Sequence, residues 1–147
     1  SIRALAAIAD PRALEVLLTA AETDFAPSVR RAAAKGLGRL HWYQLPIAQV
    51  QAARERALKT LLLLAQDPDW SIRYAAVVGL HSLATSVGAA PSNWLPELLA
   101  QFEQIAQIDA DFAVHARARM AQQQLQGVAP ESSLQLENAP PAQAENA

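Results

Sequence analysis

A fourteen-residue pattern occurs twice in this chain without a gap, and it restricts the possible folds more than any other feature. Asp24-Phe25-Ala26-Pro27-Ser28-Val29-Arg30-Arg31-Ala32-Ala33-Ala34-Lys35-Gly36-Leu37 matches Asp67-Pro68-Asp69-Trp70-Ser71-Ile72-Arg73-Tyr74-Ala75-Ala76-Val77-Val78-Gly79-Leu80, 43 positions later. A third copy, 42 positions further on, runs from Asp109 through Val114, His115 and Ala118 to Leu125. The opening Ile2-Arg3, 27 positions before Val29-Arg30, reads as the remnant of an earlier copy. Self-similarity at such periods marks repeat architectures, in which each copy leaves an apolar face that only the next copy covers.

Within a copy the apolar and small residues recur at helical spacing: Val29, Ala32, Ala33, Gly36, Leu37 and Leu40, then Ile72, Ala75, Ala76, Gly79, Leu80 and Leu83. Apolar residues make up 52% of the chain but aromatics only 5%, which suits closely spaced helices and argues against an all-β sandwich. Partner helices are predicted between the copies. One opens with Asp10 as cap and Pro11 at the first helical position, one runs from about Ile47 to Ala65, and one from about Pro91 to Gln107. Each pair makes a helical hairpin, and stacked hairpins give an all-α fold, a right-handed α-solenoid (superhelix) over residues 1–127. His41-Trp42-Tyr43-Gln44-Leu45-Pro46 predicts a loop at a functional edge of that solenoid. Residues 128–147, which carry Glu131, Glu137, Glu145 and three prolines, lack periodicity and are expected to be a disordered acidic tail. Ser1 to Ile8 reads as a helix already under way, so earlier repeats are expected to be missing.

Several chemistries are excluded at this level. The chain has no Cys, hence no disulfide, no thiolate metal site and no covalent intermediate on its own sulfur. Its apolar stretches, Leu61 to Ala65 among them, fall far short of the roughly 20 residues of a membrane span, so no membrane partner is expected. Arg30, Arg31, Lys35, Arg39, Arg54, Arg56 and Lys59 form a basic middle with Glu55 as the one acid among them. Nucleic acid is nevertheless not expected, because no recognised binding signature is present and the pI is about 5.9. His41, His81 and His115 lie on separate segments without a second ligand at metal spacing, and no nucleophile elbow or phosphate-binding glycine loop occurs.

Two sets of residues invite functional readings. Asp24 and Arg30, like Asp67 and Arg73, combine an acid in the turn with a base in the first turn of the next helix, which predicts a structural ladder tying the copies together. On the opposite face the copies differ: Arg31, Lys35 and Arg39 form a basic row, whereas Tyr74, Val78 and Ser82 occupy the equivalent places, flanked by Trp70, Val77 and His81. If the second helices line one groove, a cationic strip beside an aromatic and apolar strip suits a flat conjugated ligand with carboxylate arms. A partner protein covering the apolar strip, or a register in which those residues belong to the core, are the alternatives. Asp69 and Asp111 at helix starts fit caps better than general acids.

The blocks Ser28 to Gly38 and Asp67 to Leu80 resemble the HEAT-like repeats of the phycobilin lyases, a likeness that covers roughly residues 1 to 126. The resemblance implies HEAT-like hairpins and a cytoplasmic enzyme subunit that is active with a second HEAT-repeat subunit. It implies that the pair attaches phycocyanobilin, an open-chain tetrapyrrole, by a thioether bond to a cysteine of the apo phycocyanin alpha chain. The bilin is then a substrate and no cofactor is implied. A non-catalytic adaptor that binds phycobiliproteins, in assembly or phycobilisome degradation, is the alternative. On this reading Arg31, Lys35 or Arg73 receives the propionates, Trp70 and Tyr74 stack on pyrrole rings beside Val78 and His81, and Asp69 bonds pyrrole N–H groups or assists proton transfer.

Overall fold

The computed structural model describes residues 1–86 and 94–127, which form seven α-helices and no strand among the described residues. These are α1 (Ile2–Ile8), α2 (Leu14–Thr23), α3 (Pro27–Leu37), α4 (Ile47–Leu64), α5 (Trp70–Ser86), α6 (Trp94–Ile108) and α7 (Phe112–Leu125). The pairs α2–α3, α4–α5 and α6–α7 are hairpins, while α1, α3, α5 and α7 pack side by side in one layer. The architecture is the α-solenoid that the repeats require. The expected tail at 128–147 and the helix start at Pro91 lie outside the described residues.

Each turn into a layer helix is built the same way, because Asp in the repeat accepts hydrogen bonds from its own backbone. Asp24, Asp67 and Asp109 accept the N–H of Ala26, Asp69 and Asp111 at 2.8, 2.9 and 2.9 Å. Asp69 and Asp111 then cap α5 and α7 by accepting the N–H of Ser71 and of Ala113, both at 2.8 Å. In the first hairpin Ala26 stands at the cap position without a side-chain bond, and Pro27, pre-set in φ for a helix, opens α3.

Small residues decide how closely the layer helices approach. A Cβ on Gly79 would stand 2.5 Å from the Ala34 carbonyl oxygen, and one on Gly36 would stand 2.6 Å from Ala6 Cβ. Ala6 thus meets Gly36 as Ala34 meets Gly79, which sets the first copy 28 positions before the second. The 27-residue register expected from Ile2-Arg3 is therefore corrected: Arg3 corresponds to Arg31, and Ile2 to Arg30. Leu17, Leu37, Leu61, Ile72, Leu80, Leu83 and Phe102 fill the space between the layers, all fully buried. Val77 joins them with no exposed surface, so it belongs to the core and not to the outward strip. The 41–46 segment departs from a plain loop as well. It holds a 3-10 turn over Trp42–Gln44, buries the Trp42 ring, and is tied to the end of α1 by the His41 N–H donating to Ala9 O at 2.8 Å.

Candidate functional site

The repeated acid and base form interhelical rungs. Arg30 on α3 donates from Nη2 to Asp67 Oδ2 at 2.7 Å and from Nε to the Ala21 carbonyl at 2.9 Å. Arg73 on α5 grips Asp109 with two bonds, Nε to Oδ2 at 2.9 Å and Nη2 to Oδ1 at 3.0 Å, and Nη1 reaches the Asp67 carbonyl at 3.0 Å. Each base therefore binds the acid of the next copy. Asp24 has no such base before it, since Ile2 stands at the corresponding position of α1. Both edges of the Arg73 guanidinium are occupied by the rung and the Asp67 and Pro68 carbonyls, so Arg73 is a scaffold residue and not the propionate ligand that the resemblance implies. Asp109 titrates below its ordinary value, because burial, which opposes ionisation, is outweighed by the Arg73 bonds and the Asp111 N–H.

The outward face of α3 carries the basic row. Arg3, Ala7, Arg31, Lys35 and Arg39 line a shallow cavity of about 310 Å³ between α1 and α3. Arg3 was missed from the sequence because of the register error. At the α3–α5 boundary, Arg31 Nη1 donates to Ser71 Oγ at 3.1 Å, and Ser71 Oγ donates to Asp69 Oδ1 at 2.7 Å. Bonds from the Ser71 hydroxyl and N–H, with the Arg31 charge nearby, hold the Asp69 carboxyl below its usual range. Asp69 is consequently ionised at neutral pH and accepts hydrogen bonds; it has no proton to give as a general acid.

On α5, Tyr74 and Val78 occupy the places of Arg31 and Lys35, half-buried, and Trp70 at the helix start is 50% exposed. His81 is half-buried one turn beyond. Burial first, and then the charge of Arg117 on α7, lower its pKa from the ordinary 6.5. Arg117 was also missed. It lies within electrostatic reach of Tyr74 as well, and its Nη1 is buried without a hydrogen-bond partner among the described residues. The signal was present in the alignment: Arg117 falls where the earlier copies have Ala32 and Ala75. The strip beside the cationic row is thus Tyr74, Val78 and His81 with a desolvated guanidinium at its far edge.

A pH dependence follows from His81. The unfolded chain takes up the proton first as pH falls below about 6.5, so stability present above that pH is lost down to the lower pKa of the folded state. The urea midpoint should fall between about pH 7 and pH 5, and His81→Gln should flatten that part of the curve. An unchanged slope in the variant would show that His81 is solvated as an ordinary imidazole.

The PBS lyase HEAT-like repeat model matches residues 1–23 and the HEAT repeat model residues 57–87. One solved structure, the complex of CpcE and CpcF of phycocyanin lyase from Nostoc sp. PCC7120, superposes with a TM-score of 0.75 at 55% identity, over 82% of this chain and 68% of that one. The chain belongs to the phycobilin lyase family of HEAT-like repeat proteins. Among its relatives in that family, the phycocyanobilin lyase subunit beta of Nostoc sp. is 56% identical over 84% of this chain and 60% of its own length. The phycobilisome maturation protein of Synechococcus elongatus is 42% identical over 85% of this chain and 59% of its own. The chain spans about three fifths of the length of these curated relatives. No helix among the described residues is long and apolar enough to cross a membrane.

Proposed function

We propose that this chain is the beta-type subunit of a heterodimeric phycocyanobilin lyase, working in the cytoplasm with a second HEAT-repeat subunit. The pair attaches phycocyanobilin to a cysteine of the apo phycocyanin alpha chain. The observation that carries the reading is the adjacency, on one face of the helix layer, of the Arg3–Arg31–Lys35–Arg39 row and the Tyr74–Val78–His81 strip. A linear tetrapyrrole has the matching features, a flat conjugated body and anionic arms. The names of the family relatives support the same reading.

The chemistry needs no nucleophile from this chain. The acceptor's thiol adds across the exocyclic ethylidene double bond of the bilin: sulfur bonds to carbon, the thiol proton ends on the tetrapyrrole, and nothing is oxidised or reduced. What a lyase contributes is orientation, holding the tetrapyrrole extended with its ethylidene end toward one thiol. Arg31 and Lys35 supply the charge for the propionates, Tyr74 and Trp70 supply rings, and Asp69, held ionised, accepts from pyrrole N–H groups. The absence of Cys from the 147 residues is consistent with this division of labour.

Co-expression with the second subunit, the apo phycocyanin alpha chain and phycocyanobilin tests the reading. Covalent, correctly absorbing chromophore that appears only when this chain is present is the expected result. A second reading, a non-catalytic adaptor, is favoured by the maturation-protein relative. An acceptor that is captured but stays colourless would establish the adaptor and overturn the lyase. Tyr74→Ala and Arg31→Met together should lower chromophore yield at least tenfold with helicity unchanged; undiminished yield would remove the face from the mechanism.

A further inference from the structure

A second cavity, of about 660 Å³, opens beneath the 41–46 turn at the start of α4. Its wall includes Leu40, Ile47 and Val50 on the apolar side, and Arg39, Trp42 and Arg54 on the polar side. No lining residue is Asp or Glu. Among the described residues, four buried side-chain nitrogens lack a hydrogen-bond partner, and three of them, covered from water, belong to residues that line this cavity: Trp42 Nε1, Arg54 Nε and Arg54 Nη2. Buried donors without acceptors are costly, more so on a charged group, and a cluster of them implies an acceptor that completes the site.

The geometry specifies that acceptor. Arg54 Cζ lies over the Trp94 ring, 5.5 Å from its centroid, and this cation–π contact helps hold the guanidinium in place. Nε and Nη2 of one guanidinium form the fork that matches the two oxygens of a carboxylate. At the rim, His41 and Tyr43 stack at 5.4 Å with planes 22° apart, and Tyr43 is 79% exposed, presenting a ring face to whatever carries the acid. Arg39 lines both this cavity and the cationic cavity between α1 and α3, so the two lie on either side of its side chain.

We propose that this pocket is a carboxylate site that holds the acid group of a planar conjugated ligand, with Arg39 at the mouth and, once the acid displaces the side chains that cover these nitrogens, Arg54 donating from Nε and Nη2 and Trp42 from Nε1. That the ligand is a linear tetrapyrrole rests on the function proposed above; the carboxylate chemistry does not. In that case one propionate is anchored here while the body runs along the Arg39–Lys35–Arg31 row.

The test separates the two ideas by using two probes on the full chain, read by quenching of Trp42 and Trp94 fluorescence in a Trp70→Phe background. Pyrenebutyrate and its methyl ester differ only in the acid. The site predicts that the acid binds at least tenfold more tightly than the ester, that Arg54→Gln brings the ratio within twofold, and that Trp42→Phe, which keeps the ring but removes the donor, lowers it severalfold. An equal affinity for acid and ester, or a ratio undiminished in both variants whose circular dichroism matches the parent, would overturn the proposal. Phycocyanobilin and its dimethyl ester are titrated in parallel against the chain with Trp70 intact, read by the bilin absorbance. If pyrenebutyrate follows the expected pattern and phycocyanobilin does not bind, the carboxylate site stands and the bilin reading falls.

Discussion

Gly79→Val should destabilise the chain by roughly 4 kcal/mol, the steric end of what single substitutions do, and lower its melting temperature by about 15 °C. At Gly79 a Cβ would sit 2.5 Å from the Ala34 carbonyl oxygen and 2.8 Å from Leu61 Cδ2. The first neighbour is backbone and cannot turn aside. On the other helix, a Cβ on Gly38 would fall 2.2 Å from the Gly79 carbonyl oxygen, so the two segments approach through glycine on both sides. Gly79→Ala gains about 1 kcal/mol of helix propensity and still loses on balance, by roughly 2 kcal/mol, because α3 and α5 must separate. Gly127→Ala is the contrasting substitution. That glycine has φ 68° and no neighbour within 4 Å of its would-be Cβ among the described residues, so its cost of about 1 kcal/mol comes from the left-handed backbone. Urea denaturation followed by circular dichroism measures all three. A Gly79→Val protein within 1 kcal/mol of the parent would mean that the helices do not meet as described.

The second large effect is at the rung between α5 and α7. Asp109→Ala should cost about 3 kcal/mol, since it leaves the Arg73 guanidinium half-buried without its partner. The side chains of Arg73 and Asp109 are only 17% and 7% exposed, so water replaces little of the lost interaction. Replacing both by Leu should be less damaging than Asp109→Ala alone, because the uncompensated charge is then gone. The pH dependence has a definite sign. Asp109 titrates below its unfolded value of about 3.8 in the folded chain, so its stabilisation is complete above that pH and is lost as pH falls through the folded value. Asp109→Asn should therefore start less stable at neutral pH and lose less on acidification below about pH 4. Parallel acid limbs in the two proteins would show that the rung is not coupled to folding.

The rungs also explain why Arg73 was misplaced from sequence. Arg73 and Tyr74 are neighbours in the chain but point to different sides of α5, and helical periodicity does not say which side faces the next repeat until its register is known. Val77 was lost to the core for the same reason: it lies beside Val78 in sequence, yet one faces the interior layer and the other the surface. The basic row on α3 was legible because charge at i, i+4 and i+8 identifies an exposed stripe on any helix. Arg117 was legible only as a departure from the repeat, an Arg where two copies have Ala.

What the amino-acid order settled by itself is the unit and its stacking. The Asp turns, the small-residue contact positions and the hairpin helices are local or repeat-determined properties, carried with few exceptions by each copy. Tertiary structure decided what no copy contains alone. The 28-residue offset of α1, which brings Arg3 into the basic row, depends on Ala6 fitting against Gly36. The pocket under the 41–46 turn needs Arg39 from the end of α3, Trp42 from the turn, Arg54 from α4 and the Trp94 ring of α6 brought to one place. Those residues are up to 55 positions apart in the chain. Side-chain burial and the loss of hydrogen-bond partners are properties of packing, so the donors that define that pocket become visible only when the helices are in contact.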